Sequence, residues 1–471
     1  MFRLSALTTL LFAALCLATQ SAAADGRVKL VHYGWENPAI SKLPDIIAKL
    51  AQSPFDGLAA KASAHNEIFQ SAALPEADFA DDFATLSKLP KGALGESYMV
   101  VNSATDNVYD WTNNAHWQAA LANMRVIVRL AKAGGFKGIV FDVEPYGKSP
   151  WDYSTQPGSA VGKRPAFDDY AKLLNARGAA MMDMMEGEFP GLQIWCLFGL
   201  SANNAALERI QSGEARSEVF SQDSYGLWPA FLSGWIGAGD AATRVFDGNE
   251  NAYYYTKRQD FEAARAYIQT DLPELLEPAS REKYSRKIEL AHAVYLDGIM
   301  ASAKSPRFIG YYLKSDQARL AMLRAHVMNA MQTSQTLVWV YAELPKWWDE
   351  SPDKNIDDTL RAAKLDSLAG KPAPGDLPEV AAAAKALSEA ISTGGKILDA
   401  NGNPVPIDGF EPALAKAACG TWGDHGEYGC TFPRGMDIVI EPIIAGRTLT
   451  PPRIERKAPD KADWGADFVV K

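Results

Sequence analysis

The chain has 471 residues, 47% hydrophobic and 22% charged, an ordinary balance for a folded protein with enough length for one large core and an appendage. A net charge of -10 at pH 7, with no concentrated basic stretch, argues against nucleic acid or an anionic membrane as partner, because either needs a positive surface. A neutral or basic ligand fits better.

In chain order, Met1-Phe2-Arg3 leads into the apolar residues 4–18 and the small tract Ser21-Ala22-Ala23-Ala24. That is the order of a secretory signal, so residues 1–24 are expected to be removed and the mature chain to be periplasmic or secreted. No later segment approaches the roughly eighteen uninterrupted apolar residues of a membrane span, so none is expected. From residue 28 to 348, strand-like runs alternate with helical patterns. The runs are 29–35, 55–62, 95–102, 138–144, 193–200, 244–255, 288–296 and 336–343, and the amphipathic stretches between them include 116–133, 167–188, 260–276 and 316–331. Eight such β-α units predict an α/β fold, a (β/α)8 TIM barrel, over residues 25–351.

Beyond it, residues 352–471 are expected to form a C-terminal α+β extension packed on the barrel. It holds an Ala-rich helix over 379–391, a hairpin in 397–407 around Asn401-Gly402-Asn403, where Asn-Gly supplies positive φ, and a further strand over 436–444. Cys419 and Cys430, in a Gly-rich loop, are expected to pair as a local disulfide in an oxidising compartment, in preference to a metal site with His425. Cys196 reads as a buried apolar residue.

The fourth and eighth runs carry the clearest chemistry. Ile139-Val140-Phe141 is a continuous apolar run, as in a strand buried on both faces, and it ends in Asp142-Val143-Glu144-Pro145. Residues two apart share a face, and at a strand's carboxyl end that face is the barrel mouth, where such barrels keep their active sites. Two carboxylates held together cannot both ionise freely, so one keeps a proton near neutrality. Cleavage of a glycosidic bond needs such an acid; Glu144 is expected to be the donor, with Asp142 charged beside it.

The run Gly138-Ile139-Val140-Phe141-Asp142-Val143-Glu144 resembles the strand-four motif of barrel glycoside hydrolases of the chitinase-like superfamily, in which Asp-X-Asp-X-Glu ends in the catalytic acid. The resemblance implies that Glu144 is the proton donor and Asp142 its neighbour. It covers about seven residues, and Val140 stands where that family carries another Asp.

A second carboxylate is required as nucleophile or base. Glu343 ranks first, because it shares a face with Trp339 and Tyr341 and precedes Trp347 and Trp348; Asp247, Glu250 and Asp297 are alternatives, Asp247 and Glu250 reading equally well as a solvated turn. Candidate substrate-binding residues are His32, Tyr33 and Trp35 at the first strand, Lys61 at the second, Asn102 and Trp111 at the third, Asp247 and Glu250 at the sixth, and Tyr341 and Trp347 at the eighth. With 12 Trp in the chain, aromatic platforms for pyranose rings point to a carbohydrate partner. The competing class is a carbohydrate-binding barrel without catalysis. A metal-dependent hydrolase would draw on His32, Glu36, Asp142 and Glu144, but paired-His motifs are absent. No phosphate loop, dinucleotide fingerprint or nucleophile elbow is present, so no cofactor is expected.

Overall fold

The computed structural model describes residues 27–35, 37–106, 108–157, 164–240, 242–300, 305–343, 347–349, 353–407, 409–410, 418–422, 426–444, 446–457 and 465–471. The signal-like segment, Glu36 and His425 lie outside these residues.

Each of the eight expected runs holds a strand, but the sixth, expected over 244–255, stops at Asp247, and Glu250–Tyr254 is a tight helical turn. The strands are Lys29–Gly34, Gly57–Ala60, Tyr98–Thr105, Gly138–Asp142, Gln193–Cys196, Arg244–Asp247, a seventh in two pieces (Ile288–Leu290 and Ala293–Tyr295), and Leu337–Ala342. Neighbours pair in parallel from the seventh strand back to the first, and the first pairs with the eighth. The first piece of the seventh strand pairs with the sixth and its second piece with the eighth, so one bent strand closes the circle. The bend lies at Ala291-His292, where the His292 carbonyl accepts from the Trp339 N–H at 3.2 Å. A short extra strand, Glu67–Phe69, leans on the third.

Register sets which side chains enter the barrel, because paired residues in parallel strands share a face and alternate along each strand. Tyr33, Tyr341 and Tyr295 form one inward row, and Val31 and Trp339 lie in the row below. Asn102 pairs with Asp142 at the carboxyl end of the third and fourth strands. The lumen is packed with aromatic rings: Trp195 meets Trp339 at 5.3 Å, Tyr33 at 5.7 Å and Tyr98 at 5.7 Å between centroids. The outer shell includes the helices Asn114–Gly134, Phe167–Glu188 and Asp316–Thr333, the first closed by left-handed Gly135.

The fourth strand approaches the fifth so closely at its base that only glycine fits. A Cβ on Gly138 would lie 1.8 Å from the Gln193 carbonyl oxygen, backbone that cannot step aside. Gly138→Ala is therefore expected to destabilise the fold by about 3 kcal/mol, the upper end of an overpacking cost. Urea unfolding measures it, and a midpoint equal to wild type would contradict this account of the strand packing.

Beyond the eighth strand the helices Lys354–Leu368 and Pro378–Ser388 bury Leu360, Ala363, Val380 and Ala383 in the barrel's own hydrophobic cluster. Residues from Ile391 onward build a separate small β core around Ile397, Tyr428, Phe432 and Phe468. Its five-stranded sheet runs in the order Ala418–Trp422, Glu427–Phe432, Ile391–Asp399, Phe468–Val470, Leu449–Thr450. The Asn401-Gly402 turn is present, with Gly402 at φ +83° and the Val405 N–H returning to the Ile397 carbonyl at 3.1 Å. Cys419 and Cys430 form a disulfide, but between directly opposed residues of two antiparallel strands rather than within a loop. Among the described residues no helix is long and apolar enough to cross a membrane.

Candidate active site

A cavity of about 890 Å³ opens at the carboxyl ends of the barrel strands. Its walls carry Asp142, Glu144, Glu250 and Glu343, together with Tyr33, Trp35, Lys61, Asn102 and Tyr341. Nine of the sequence-nominated residues thus meet in one place.

Asp142 ends the fourth strand with its side chain buried. The Glu144 N–H donates to its Oδ1 at 3.0 Å and the Asn102 amide to its Oδ2 at 3.4 Å, while the Tyr33 hydroxyl also donates to it. Burial pushes the Asp142 carboxyl up to about 7, with the nearby Glu144 charge adding to the rise. The group raised by burial is therefore the one expected from sequence to stay charged. Glu144 follows two residues past the strand end, exposed at the mouth, and accepts from the Tyr146 hydroxyl at 3.2 Å. The loop is clamped from behind by the Trp151 indole, which donates to the Val143 carbonyl at 2.9 Å.

Glu250 comes from the loop after the sixth strand, and its position rests on Asp247 and Asn249. The Asn249 N–H donates to Asp247 Oδ1 at 3.0 Å, an Asx turn, and Asn249 itself sits in the left-handed region at φ +41°. Glu250 is pushed up to about 8, first by burial and then by the Glu144 and Asp142 charges. These three carboxylates form one electrostatic cluster, in which protons belong to the group rather than to a single residue. Glu343 stands apart from it: Tyr341 and Tyr295 donate to its carboxylate, and its own N–H donates to Asp297 Oδ2 at 2.7 Å.

Five nominated residues lie outside this cavity, Asp297 among them as the acceptor of the Glu343 N–H. His32 is adjacent to inward-facing Tyr33, so alternation turns it outward, where its ring packs on Phe55 and Trp348. Trp347 is buried on the same side, 6.2 Å from His32 between centroids. Asp247 is in register with Cys196 on the outward face and takes hydrogen bonds from the Ser201 N–H and hydroxyl, so it shapes the loop and does not face substrate. Trp111 is fully buried against Phe69, its indole donating to the Pro150 carbonyl at 2.8 Å; it fastens the third loop to the fourth.

The sequence reading missed Tyr146, Tyr253, Tyr254, Tyr295 and Arg307, all on the cavity wall. Tyr295 had a signal, since it ends a strand run in register with Tyr341. Tyr253 and Tyr254 stood in the tyrosine run after Glu250; Arg307 had none. Among the described residues the exposed aromatic side chains are Trp35, Tyr146 and Tyr254, at 66%, 51% and 49%, and all three line this cavity.

The linkage of Asp142 gives a stability test. Its carboxyl rises from the ordinary 3.8 to about 7 on folding, so the folded state holds the proton more tightly, and this favourable contribution is lost as pH rises between those values. Three units correspond to about 4 kcal/mol. Asp142→Asn is expected to stabilise the fold by about 2 kcal/mol near pH 8, after loss of the hydrogen bonds a carboxylate accepts, and by about zero near pH 4. Urea unfolding at the two pH values checks it; an equal effect at both would contradict the burial argument.

No protein family and no curated protein matches the chain. Among solved structures it is similar to a broad-specificity endoglucanase of the GH5-4 type from an uncultured bacterium, at 13% identity and TM-score 0.35, covering 68% of this chain and 84% of that one. A β-mannanase from the blue mussel Mytilus edulis matches at 8% and 0.36, covering 74% and 95%. A GH18 chitinase from Pseudoalteromonas aurantia matches at 11% and 0.32, covering 72% and 100%. Likenesses this distant carry no weight for the chemistry, which is argued from the cavity alone.

Proposed function

We propose that this protein is a periplasmic or secreted glycoside hydrolase that cuts glycosidic bonds in an oligo- or polysaccharide by carboxylate acid catalysis. The observation that carries the reading is the coincidence, in one cavity at the barrel mouth, of the Asp142–Glu144–Glu250 cluster with the exposed aromatic rings. Exposed Trp35, Tyr146 and Tyr254 offer faces for pyranose rings, at a cost in solvation that a surface with no ligand would not carry.

Glu144, the exposed member, meets the glycosidic oxygen and delivers the proton. Asp142, buried behind it and raised to about 7, keeps a proton in the pair at neutral pH. Glu250 supplies the second carboxylate, as base or nucleophile, once the shared proton resides on the Asp142–Glu144 pair. Because the working state holds one proton on the Asp142–Glu144 pair and none on Glu250, kcat/KM is expected to pass through a maximum in the region between about 7 and about 8 and to fall on either side of it.

The test is formation of new reducing ends, followed by mass spectrometry, across a panel of bacterial and plant polysaccharides. Release of defined oligosaccharides supports the proposal. Binding of a polysaccharide without release, across the panel, would overturn it in favour of a carbohydrate-binding barrel.

A further inference from the structure

A cavity of about 590 Å³ opens among the helices Phe167–Glu188, Arg216–Gln222, Trp228–Ala238 and Pro278–Lys287, and it shares no wall residue with the cavity at the barrel mouth. Two arginines stand side by side on its wall. The Glu274 carbonyl accepts from both, from Arg216 Nη1 at 2.9 Å and from Arg281 Nη2 at 2.8 Å. The next two carbonyls fix the pair further: Leu275 accepts from Arg216 Nη2, and Leu276 accepts from Arg281 Nε at 3.0 Å. Among the described residues no carboxylate forms an ion pair with either guanidinium, and Arg216 Nε and Arg281 Nη1 have no hydrogen-bond partner. Burial lowers the Arg216 guanidinium below its usual value; the Glu277 charge opposes this and the Arg281 charge adds to it. Arginine stays charged all the same, so two like charges are held together with nothing between them to offset the repulsion.

The other charged groups on the wall do not supply that offset. Asp168 and Glu277 are exposed, where water and salt screen them, and Lys172 is engaged by Asp169 at 3.2 Å. Much of the remaining wall is apolar. The Phe167 and Phe220 rings stack at 6.2 Å between centroids, Arg216 lies 4.7 Å over the Phe220 ring, and Pro229, Leu275 and Leu276 complete this surface.

We propose that this flank cavity binds an organic carboxylate with an apolar body, its carboxylate bridging Arg216 and Arg281 and its body lying against the phenylalanine and leucine side chains. The site stands whether or not the barrel mouth hydrolyses glycosides. Its volume falls within the roughly 300–1,000 Å³ of small-molecule sites. A planar guanidinium offers paired N–H donors that match the two oxygens of a carboxylate, and a carboxylate between two guanidiniums turns their repulsion into attraction. An inorganic anion would leave the apolar wall wet, and a neutral ligand would leave the two charges unbridged.

The experiment is calorimetric titration of the full chain with cinnamate at fixed ionic strength, with cinnamyl alcohol as the uncharged comparison and inorganic sulfate as the anion without a body. Cinnamate is expected to bind at least about tenfold more tightly than either, the scale of a charge-assisted hydrogen bond. Arg281→Gln, which removes one charge at an exposed position, is expected to weaken cinnamate binding at least about tenfold. Ala171→Phe, which fills the cavity and leaves both arginines in place, is expected to do the same, and the melting temperatures of the two variants show that each is folded. Glu144→Gln, at the separate barrel mouth, is expected to bind cinnamate as wild type does. Absence of cinnamate binding would show that the arginines only tie down the loop at Glu274, and would overturn the proposal. Sulfate binding as tightly as cinnamate, the alcohol binding as tightly, or cinnamate binding unchanged in the folded Ala171→Phe variant would overturn it as well.

Discussion

Glu144→Gln is expected to lower kcat by at least about 10²-fold, the scale of a lost general acid, while the unfolding free energy stays within about 0.5 kcal/mol of wild type. The second half follows from placement: Glu144 is exposed, two residues past the strand end, and among the described residues its carboxylate takes one hydrogen bond, from the exposed Tyr146. Gln preserves shape and the acceptor oxygen but has no proton to deliver to a leaving glycosidic oxygen. Steady-state kinetics on the best substrate, paired with urea unfolding, measures both quantities. A kcat within about threefold of wild type would remove Glu144 from the proton-donor role.

Glu250→Gln is expected to cost at least about 10²-fold in kcat, whereas Glu343→Gln is expected to cost less than about tenfold. The contrast rests on electrostatics. Glu250 is raised to about 8 partly because it feels the Glu144 and Asp142 charges, so it belongs to their cluster. Glu343 is engaged by Tyr341, Tyr295 and its own backbone contact to Asp297. Its loss should show mainly in KM. Equal kcat losses in the two variants would contradict this division, and a severe loss in Glu343→Gln alone would restore Glu343 as the second catalytic carboxylate.

Much of the scaffold was legible because parallel strands buried on both faces leave apolar runs, and each of the eight runs holds a strand, although the sixth ends at Asp247, well short of residue 255. The mouth location of Asp142 and Glu144 was legible for the same reason: a buried run that stops at two acids and a proline can only deliver them to the rim. The errors at strand ends share one physical origin. Residues near a strand end were nominated by chemistry without applying alternation between neighbours, and His32 next to Tyr33 cannot share its face. Asp247 lies outward with Cys196 for the same reason. The place of Glu250 depends on a contact between loops that sequence does not show, since the turn set by Asp247 and left-handed Asn249 carries it to the cavity wall from a segment that reads as a solvated loop. The raised carboxyl was misplaced between Asp142 and Glu144 because sequence shows proximity but not which of two acids is desolvated. The bend at Ala291-His292 that lets one strand close the barrel left no pattern in the residues.

The central claim is that water cleaves a glycosidic bond in the cavity of Asp142, Glu144 and Glu250. Its most direct test is digestion of the best polysaccharide in water enriched in heavy oxygen, with mass spectrometry of the released oligosaccharides from wild type and Glu144→Gln in parallel. The account predicts one heavy oxygen at each new reducing end with wild type and at least about 10²-fold less labelled product with the variant. Unlabelled or unsaturated chain ends, or equal labelling by both proteins, would contradict it.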